Sequence, residues 1–226
     1  MNDFPIPAAV AASQVRFPIS VEPPHPSTLC LTKRLLDIVG AVIGLLVLAI
    51  IFVPVAIAIK LDSPGAIFYS QVRYGLQGRP IVVHKFRSMV QNADALKGSV
   101  PNEVKGFFFK NQKDPRVTRV GRFLRKTSLD EFPQFWNVLI SEMSLVGTRP
   151  PTYDEVIHYD DHHWKRLNVK PGLTGEWQIS GRSAVRDFEE VVKLDLRYQL
   201  LWTPFYDLAI IGKTLAVLLT KRAGAF

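Results

Sequence analysis

Residues 38–59 read IVGAVIGLLVLAIIFVPVAIAI, 22 positions without a formal charge. At about 1.5 Å per residue a straight helix over them covers about 33 Å, the depth of a bilayer's hydrocarbon core. Every helical face is apolar, which separates the segment from an ordinary amphipathic core helix. Lys33 and Arg34 precede it, and Lys60, Arg73 and Arg79 follow, so the positive-inside rule draws both flanks to the cytoplasmic side. Pro54 removes a ladder bond, at a cost of about 3 kcal/mol in a regular helix. Length alone favours a simple span. Basic flanks on both sides and an internal proline favour a re-entrant helix that dips in and returns, and the re-entrant form is preferred.

The rest of the composition is consistent with a membrane-surface protein. Of 226 residues, 47% are hydrophobic and 21% charged, with one cysteine, which excludes wholesale disorder and a disulfide scaffold. The net charge is +8, and the excess is concentrated: residues 33–126 hold 16 basic and 5 acidic side chains. A basic excess around the most apolar run points to lipid headgroups or a phosphate site rather than to nucleic acid. Residues 1–31 contain six prolines and no basic region leading into an early apolar core, so they read as a flexible tail and not as a signal peptide.

Downstream, 66–71 and 81–86 are rich in β-branched and aromatic residues, with Gly75 and Gly78 between them, and predict a hairpin. Lys85 and Arg87, two apart, fall on one face of its second arm, as ligands for an anion or as charges guarding a solvated edge. Within RFLRKTSLDEFPQFWNVLISEMSLVGTRPP (122–151), Phe132, Phe135, Trp136, Leu139, Ile140 and Met143 recur at helical spacing and predict a helix. Pro171 and Gly172 mark a turn. A second helix is expected over about 184–201. A third apolar stretch, 207–220, either lies on the membrane or closes the core.

Asp130 and Glu131 open the first of these helices. Ser128 with Glu131 has the form of a capping box, but Pro133 would then be the fifth helical residue. With Asp130 as N-cap, Pro133 falls among the donors that lack partners anyway. A carboxylate there faces free N–H groups and the positive end of the helix dipole. Arg119, Arg122, Arg125, Lys126 and Arg149 surround it, more cations than two carboxylates neutralise, so an anion is expected. Arginine forks match phosphate oxygens, and a carboxylate pair can share Mg²⁺ with a diphosphate.

These residues carry a resemblance. KRLLD (33–37), IKLDSPG (59–65), KFRSM (85–89), Arg125-x-x-x-x-Asp130-Glu131, MSLVGTRP (143–150) and KPGLTGEWQISGR (170–182) occur in the order and spacing of the bacterial polyprenyl-phosphate phosphoglycosyl transferases of the monotopic type, the undecaprenyl-phosphate sugar phosphotransferases that begin exopolysaccharide repeat units. The chain resembles that family from about Lys33 to Phe226. The resemblance implies a re-entrant helix broken near Pro54 and an active site on the cytoplasmic face of the inner membrane. It further implies transfer of a hexose 1-phosphate from a UDP-sugar to polyprenyl phosphate, with release of UMP and a covalent phosphosugar on Asp130. Glu131 matches the partner carboxylate, either organising Mg²⁺ with Asp130 or helping to deprotonate the lipid phosphate. Lys85, Arg87, Arg125 and Arg149 match the phosphate-binding positions, and Asp207 is matched to a late acidic residue. Thr148, where relatives carry proline, and Glu176, where they are apolar, are departures. Larger relatives carry further membrane helices, for which the tail here leaves no room, so a minimal catalytic unit is expected.

The expected fold is therefore α+β: a tail (1–31), a re-entrant membrane helix (32–62), and a mostly helical cytoplasmic-face domain with a small β-hairpin and a C-terminal amphipathic helix (63–226). The expected partners are a UDP-sugar, polyprenyl phosphate and membrane lipid, and not nucleic acid; self-association is left open. His158, His162 and His163 with Asp160 and Asp161 lack the glutamate of a helical zinc motif and are set aside as ligands. The competing class is a non-enzymatic, membrane-anchored basic module of a polysaccharide assembly complex. It gives no reason for a carboxylate pair inside an arginine cluster.

Overall fold

The structure, a computed structural model, describes residues 23–181, 185 and 187–219. Most of the expected tail, the start of the helix anticipated at 184 and the basic pair at 221–222 lie outside them. The described chain is α+β. It runs α1 (Leu31–Asp62), β1 (Phe68–Tyr74), β2 (Pro80–Phe86), α2 (Arg119–Thr127), a 3₁₀ segment (Leu129–Gln134), α3 (Phe135–Leu139), β3 (Ser144–Val146), α4 (Tyr153–Val156), α5 (Asp161–Trp164), β4 (Gly172–Thr174), α6 (Glu176–Ile179), α7 (Phe188–Leu201) and α8 (Pro204–Leu219).

The apolar segment belongs to a longer element than the uncharged run suggested. α1 has 32 residues, long and apolar enough to cross a membrane, and it continues through Pro54 without interruption. The expected break there is not seen. Pro54 forfeits the bond to the Ile50 carbonyl, but its neighbours Phe52, Val55 and Ile59 pack with Phe86, Leu124 and Val120, which holds the helix across the gap. The charged residues at its ends are helical because tertiary partners neutralise them. Lys33 is buried and bonds Asp207 at 2.7 Å and the Val146 carbonyl at 2.9 Å. Arg34 caps α3 through the carbonyls of Val138 (2.9 Å) and Leu139 (2.7 Å). Asp37 accepts from the Ser144 hydroxyl at 2.9 Å and the Leu145 N–H at 2.8 Å. At the other end Asp62 accepts from the Val120 N–H at 2.9 Å, and Arg87 donates to the carbonyls of Ser63 (2.7 Å) and Pro64. Both ends of α1 thus dock on the same domain. Between them Gly44 faces the Phe135 ring so closely that any side chain would collide with it. The opposite face, Leu35, Val39, Val42, Leu46, Ile50, Val53, Ile57 and Leu61, is exposed along the whole length.

β1 and β2 form the expected antiparallel hairpin, with Tyr69 opposite Lys85 and Arg73 opposite Ile81. Arg87 lies one residue beyond β2, so it does not share the strand face with Lys85; it turns to the end of α1 instead. β3 and β4 make a parallel pair, Ser144 to Gly172 and Val146 to Thr174, which was not anticipated. Ala41 of α1, Ile81 and Val83 of β2, and Val138 and Met143 make one core; Val146, Val169, Tyr198 and Ile210 make another. α8 closes that second core with Asp207 and Ile210, while Phe205, Leu208 and Leu215 stay exposed, so the C-terminal helix presents apolar surface on both sides.

The Lys33–Asp207 pair is bonded further by Tyr198 Oη (2.8 Å) and Trp202 Nε1 (3.2 Å), both to Asp207. Removing one member of such a buried pair strands the other's charge, typically at about 3–5 kcal/mol. Asp207→Asn is expected to lower the unfolding free energy by that amount in a denaturant titration. The double change Lys33→Met with Asp207→Leu, which strands no charge, should recover most of the loss in the same titration.

Candidate active site

The α2–α3 region is built differently from the single helix expected. α2 starts at Thr118, whose hydroxyl accepts from the Gly121 N–H at 3.0 Å, and ends at Ser128, which adopts a left-handed φ of 56°. Asp130 is therefore not an N-cap. It is the second residue of a six-residue 3₁₀ segment that follows Ser128 directly. Pro133 explains the tighter coil: with no N–H it cannot close a regular ladder, and the α-helix resumes only at Phe135. Ser141, at φ 73°, stops that helix before Met143, so the apolar stripe outlasts the helix it predicted. The 3₁₀ coil buries Asp130 and leaves Glu131 half-buried beside it.

Both carboxylates line a cavity of about 930 Å³ between the hairpin, the 3₁₀ segment, the 90–116 loop and the start of α6. Lys85 enters from β2 and bonds Glu131 at 2.9 Å. Arg125 enters from the last turn of α2, its Nε donating to Ser88 Oγ at 2.9 Å. Gly121 makes that reach achievable, because a Cβ there would run into the Ser88 carbonyl, which accepts from the Thr118 N–H at 3.1 Å. Arg149 lines the same cavity but is already matched, donating to Glu155 at 2.8 and 3.1 Å. Burial would push the Glu155 carboxyl up; the charge and hydrogen bonds of Arg149 outweigh it and hold the group below its ordinary value. Glu155 also accepts from the Thr152 hydroxyl at 3.0 Å, a Thr-x-x-Glu spelling legible in the sequence but passed over there.

The structure thus brings Lys85, Arg125, Asp130, Glu131 and Arg149 to one cavity. Arg87 contributes to the wall, but its two terminal nitrogens are taken by the carbonyls ending α1. Asp207 is elsewhere, in the pair with Lys33. Further wall residues went unrecognised. Arg73 was read only as a flank charge. Gln134, one turn past Asp130, is buried, and its amide nitrogen finds no partner among the described residues. Phe107–Phe109 come from a loop held by the buried Asp114–Arg116 pair (2.6 Å), for which no periodicity gave a signal.

Among the described residues no group of three or more His, Cys, Asp or Glu is placed to hold a metal. His163 bonds Glu189 at 2.7 Å, and His158 stacks on Phe107. The Asp130–Glu131 pair alone suits Mg²⁺, which takes one or two carboxylates and completes its shell with water and substrate phosphates. Of the two departures, Glu176 is accommodated, whereas the buried Thr148 hydroxyl has no hydrogen-bond partner among the described residues. The Thr148 carbonyl accepts from the Gly172 N–H at 2.9 Å, joining the two parallel strands, and Glu176 accepts from Tyr206 Oη at 2.6 Å.

The family model described as bacterial sugar transferase matches residues 28–221. The galactosyl transferase CpsE of Streptococcus agalactiae is 50% identical over 84% of this chain and 42% of its own length. The undecaprenyl-phosphate galactose phosphotransferase of Salmonella typhimurium is 43% identical over 86% of this chain and 41% of its own. The chain therefore spans about two fifths of the length of these two relatives. The exopolysaccharide production protein ExoY of Sinorhizobium fredii is 38% identical over 85% of this chain and 87% of its own length. The chain belongs to the bacterial sugar transferase family.

Because the folded-state pKa of Glu155 is depressed, its contribution is fully present above the unfolded carboxylate range, near pH 4.3, and is lost as pH falls through the lower folded value. Glu155→Gln is expected to destabilise the fold by about 3 kcal/mol at pH 7, since it leaves Arg149 uncompensated. The gap between variant and wild type in urea titrations should narrow as the pH is taken below 4.

Proposed function

Proceeding from that membership, we propose that the chain transfers a hexose 1-phosphate, glucose or galactose, from a UDP-sugar to undecaprenyl phosphate on the cytoplasmic face of the bacterial inner membrane, releasing UMP as a first step of exopolysaccharide synthesis. The observation that carries this is the adjacent Asp130 and Glu131 in a cavity whose charged walls include Lys85, Arg125 and Arg149. The acceptor is supported by the name of the Salmonella relative, and the hexose by the galactose in that name and in that of CpsE.

In the proposed reaction a carboxylate oxygen of Asp130 attacks the β-phosphorus of the donor. The bond from that phosphorus to the bridging oxygen breaks, and its electron pair leaves with UMP. An oxygen of undecaprenyl phosphate then attacks the same phosphorus. The acyl-phosphate bond breaks, which restores the Asp130 carboxylate and yields the lipid diphosphate sugar. The 3₁₀ coil supports the nucleophile's part, because it sets Asp130 rigidly in the wall with the cations of β2 and α2 opposite. Arg125 and Lys85 neutralise the charge that builds on the transferred phosphoryl group. Glu131, with Lys85 beside it, takes the proton of a monoanionic acceptor or holds Mg²⁺ with Asp130. When bound, Mg²⁺ supplies charge neutralisation on the diphosphate.

The membrane arrangement follows the same logic. We take α1 as re-entrant because a helix with both ends docked on one domain cannot deliver them to opposite faces of a bilayer. Its unbroken apolar stripe is then the face turned to lipid.

Purified protein given Mg²⁺ and a panel of UDP-sugars should release UMP when undecaprenyl phosphate is added. Asp130→Asn should reduce the rate by about 10³-fold or more while leaving membrane association intact. Mass spectrometry of wild-type protein trapped with donor alone should show a phosphosugar on residue 130. Full turnover by Asp130→Asn would overturn the proposal.

A further inference from the structure

The cavity contains a cation that the reaction as written does not use. Arg73 stands on β1, its Nε donating to Gln71 Oε1 at 2.8 Å and its Nη1 to the Pro150 carbonyl at 3.0 Å. Both partners are neutral, and its remaining terminal nitrogen makes no hydrogen bond among the described residues. Arg149, in the same wall, is taken by Glu155. Two guanidinium groups therefore share the neighbourhood of one carboxylate. Burial and then repulsion from Arg149 push the Arg73 guanidinium down to about 10. An arginine fixed by two neutral acceptors, with donors left over and a second cation beside it, is organised to receive an anion.

The hairpin register says which anion. Tyr69, Gln71 and Arg73 alternate on one face of β1, and Tyr69 lies directly opposite Lys85, so Lys85 and Arg73 point to the same side. Lys85 bonds Glu131 and marks the reacting end of the cavity. Arg73 is anchored further along the strand, towards Pro150 and Arg149, yet near enough to the reacting end that the Glu131 charge acts on its guanidinium. A diphosphate donor whose transferred phosphorus sits at Asp130 has its other phosphate and its nucleoside directed away from that end.

We propose that Arg73 binds the phosphate of the nucleoside monophosphate half of the donor, holding UMP in place as the leaving group. This rests on the chain being a UDP-sugar-dependent transferase and adds where the nucleotide lies in the cavity and which side chain retains it.

The test uses the full chain in detergent, titrated with UMP and, separately, with uridine, alongside steady-state kinetics for both substrates. Arg73→Gln should weaken UMP binding by about 10-fold or more, the effect of one lost charge-assisted contact, and raise the KM for the UDP-sugar in parallel. Uridine affinity and the KM for undecaprenyl phosphate should not change. Arg73→Lys, which keeps the charge and loses the fork, should fall between variant and wild type, and it carries the test if Arg73→Gln does not fold. Wild-type affinity for UMP in Arg73→Gln would overturn the subsite, as would an equal loss for UMP and uridine. A wild-type protein that turns over no UDP-sugar would instead overturn the function, and the UMP titration would still decide the subsite.

Discussion

The two ends of one apolar helix are bonded to one domain, and the rest of the molecule is arranged around that fact. Lys33, Arg34 and Asp37 fasten the first two turns of α1 to β3, α3 and α8, and Asp62 with Arg87 fastens the last turn to α2 and the hairpin. None of these is a surface ion pair worth a few tenths of a kcal/mol. Lys33, Asp37 and Asp207 are all almost fully buried, where an unpaired charge costs several kcal/mol. The geometry is thus enforced by penalty: sliding or tilting α1 away from the domain would strand charges at both ends together. A helix so constrained leaves only one long face for lipid, and that face is the uninterrupted apolar one.

The same fastenings set the active cavity. Arg87 ties the end of β2 to the end of α1, and the next residue, Ser88, both accepts from the start of α2 and receives Arg125. Asp62 holds that same start of α2. The position of Arg125 is therefore inherited from the membrane helix through two residues of KFRSM and one of IKLDSPG. Motifs that a sequence reader would divide between catalysis and membrane anchoring are here one mechanical unit. It places the cavity at the end of α1, where the proposed reaction needs a water-soluble donor and a lipid-borne acceptor to meet.

Much of the fold was legible because it rests on local patterns: the uncharged run, the glycine-separated hairpin, and the stretches read at about 184–201 and 207–220, which the structure gives as helices over 188–201 and 204–219. What was not legible depends on distant partners. The extent of α1, expected over 32–62, was read almost to the residue, but nothing local says that Asp207, Ser144 and Val120 will meet Lys33, Asp37 and Asp62. The positive-inside argument accordingly counted Lys33 and Arg73 as free surface charges, when one is buried against a carboxylate and the other faces the cavity. The β3–β4 pair, three residues each and parallel, is too short and too distant in sequence to show a period. In the cavity, residue type and motif identified Lys85, Arg125, Asp130, Glu131 and Arg149. Gln134 and the 90–116 loop carry no such signal, because neither charge nor periodicity distinguishes them.

The misread register at Asp130 bears on chemistry as well as on assignment. As an N-cap, Asp130 would have spent its oxygens on the N–H groups of its own helix, and a carboxylate that satisfied is a poor nucleophile. The left-handed Ser128 ends α2 one residue before the 3₁₀ segment, and the missing donor at Pro133 keeps that segment from settling into a regular helix. Asp130 consequently sits inside the coil rather than at its mouth, two residues from the last turn that carries Arg125 and next to the glutamate held by Lys85. The carboxylate that the proposed covalent step requires therefore lies in the cavity wall beside Glu131, whose charge Lys85 meets from β2.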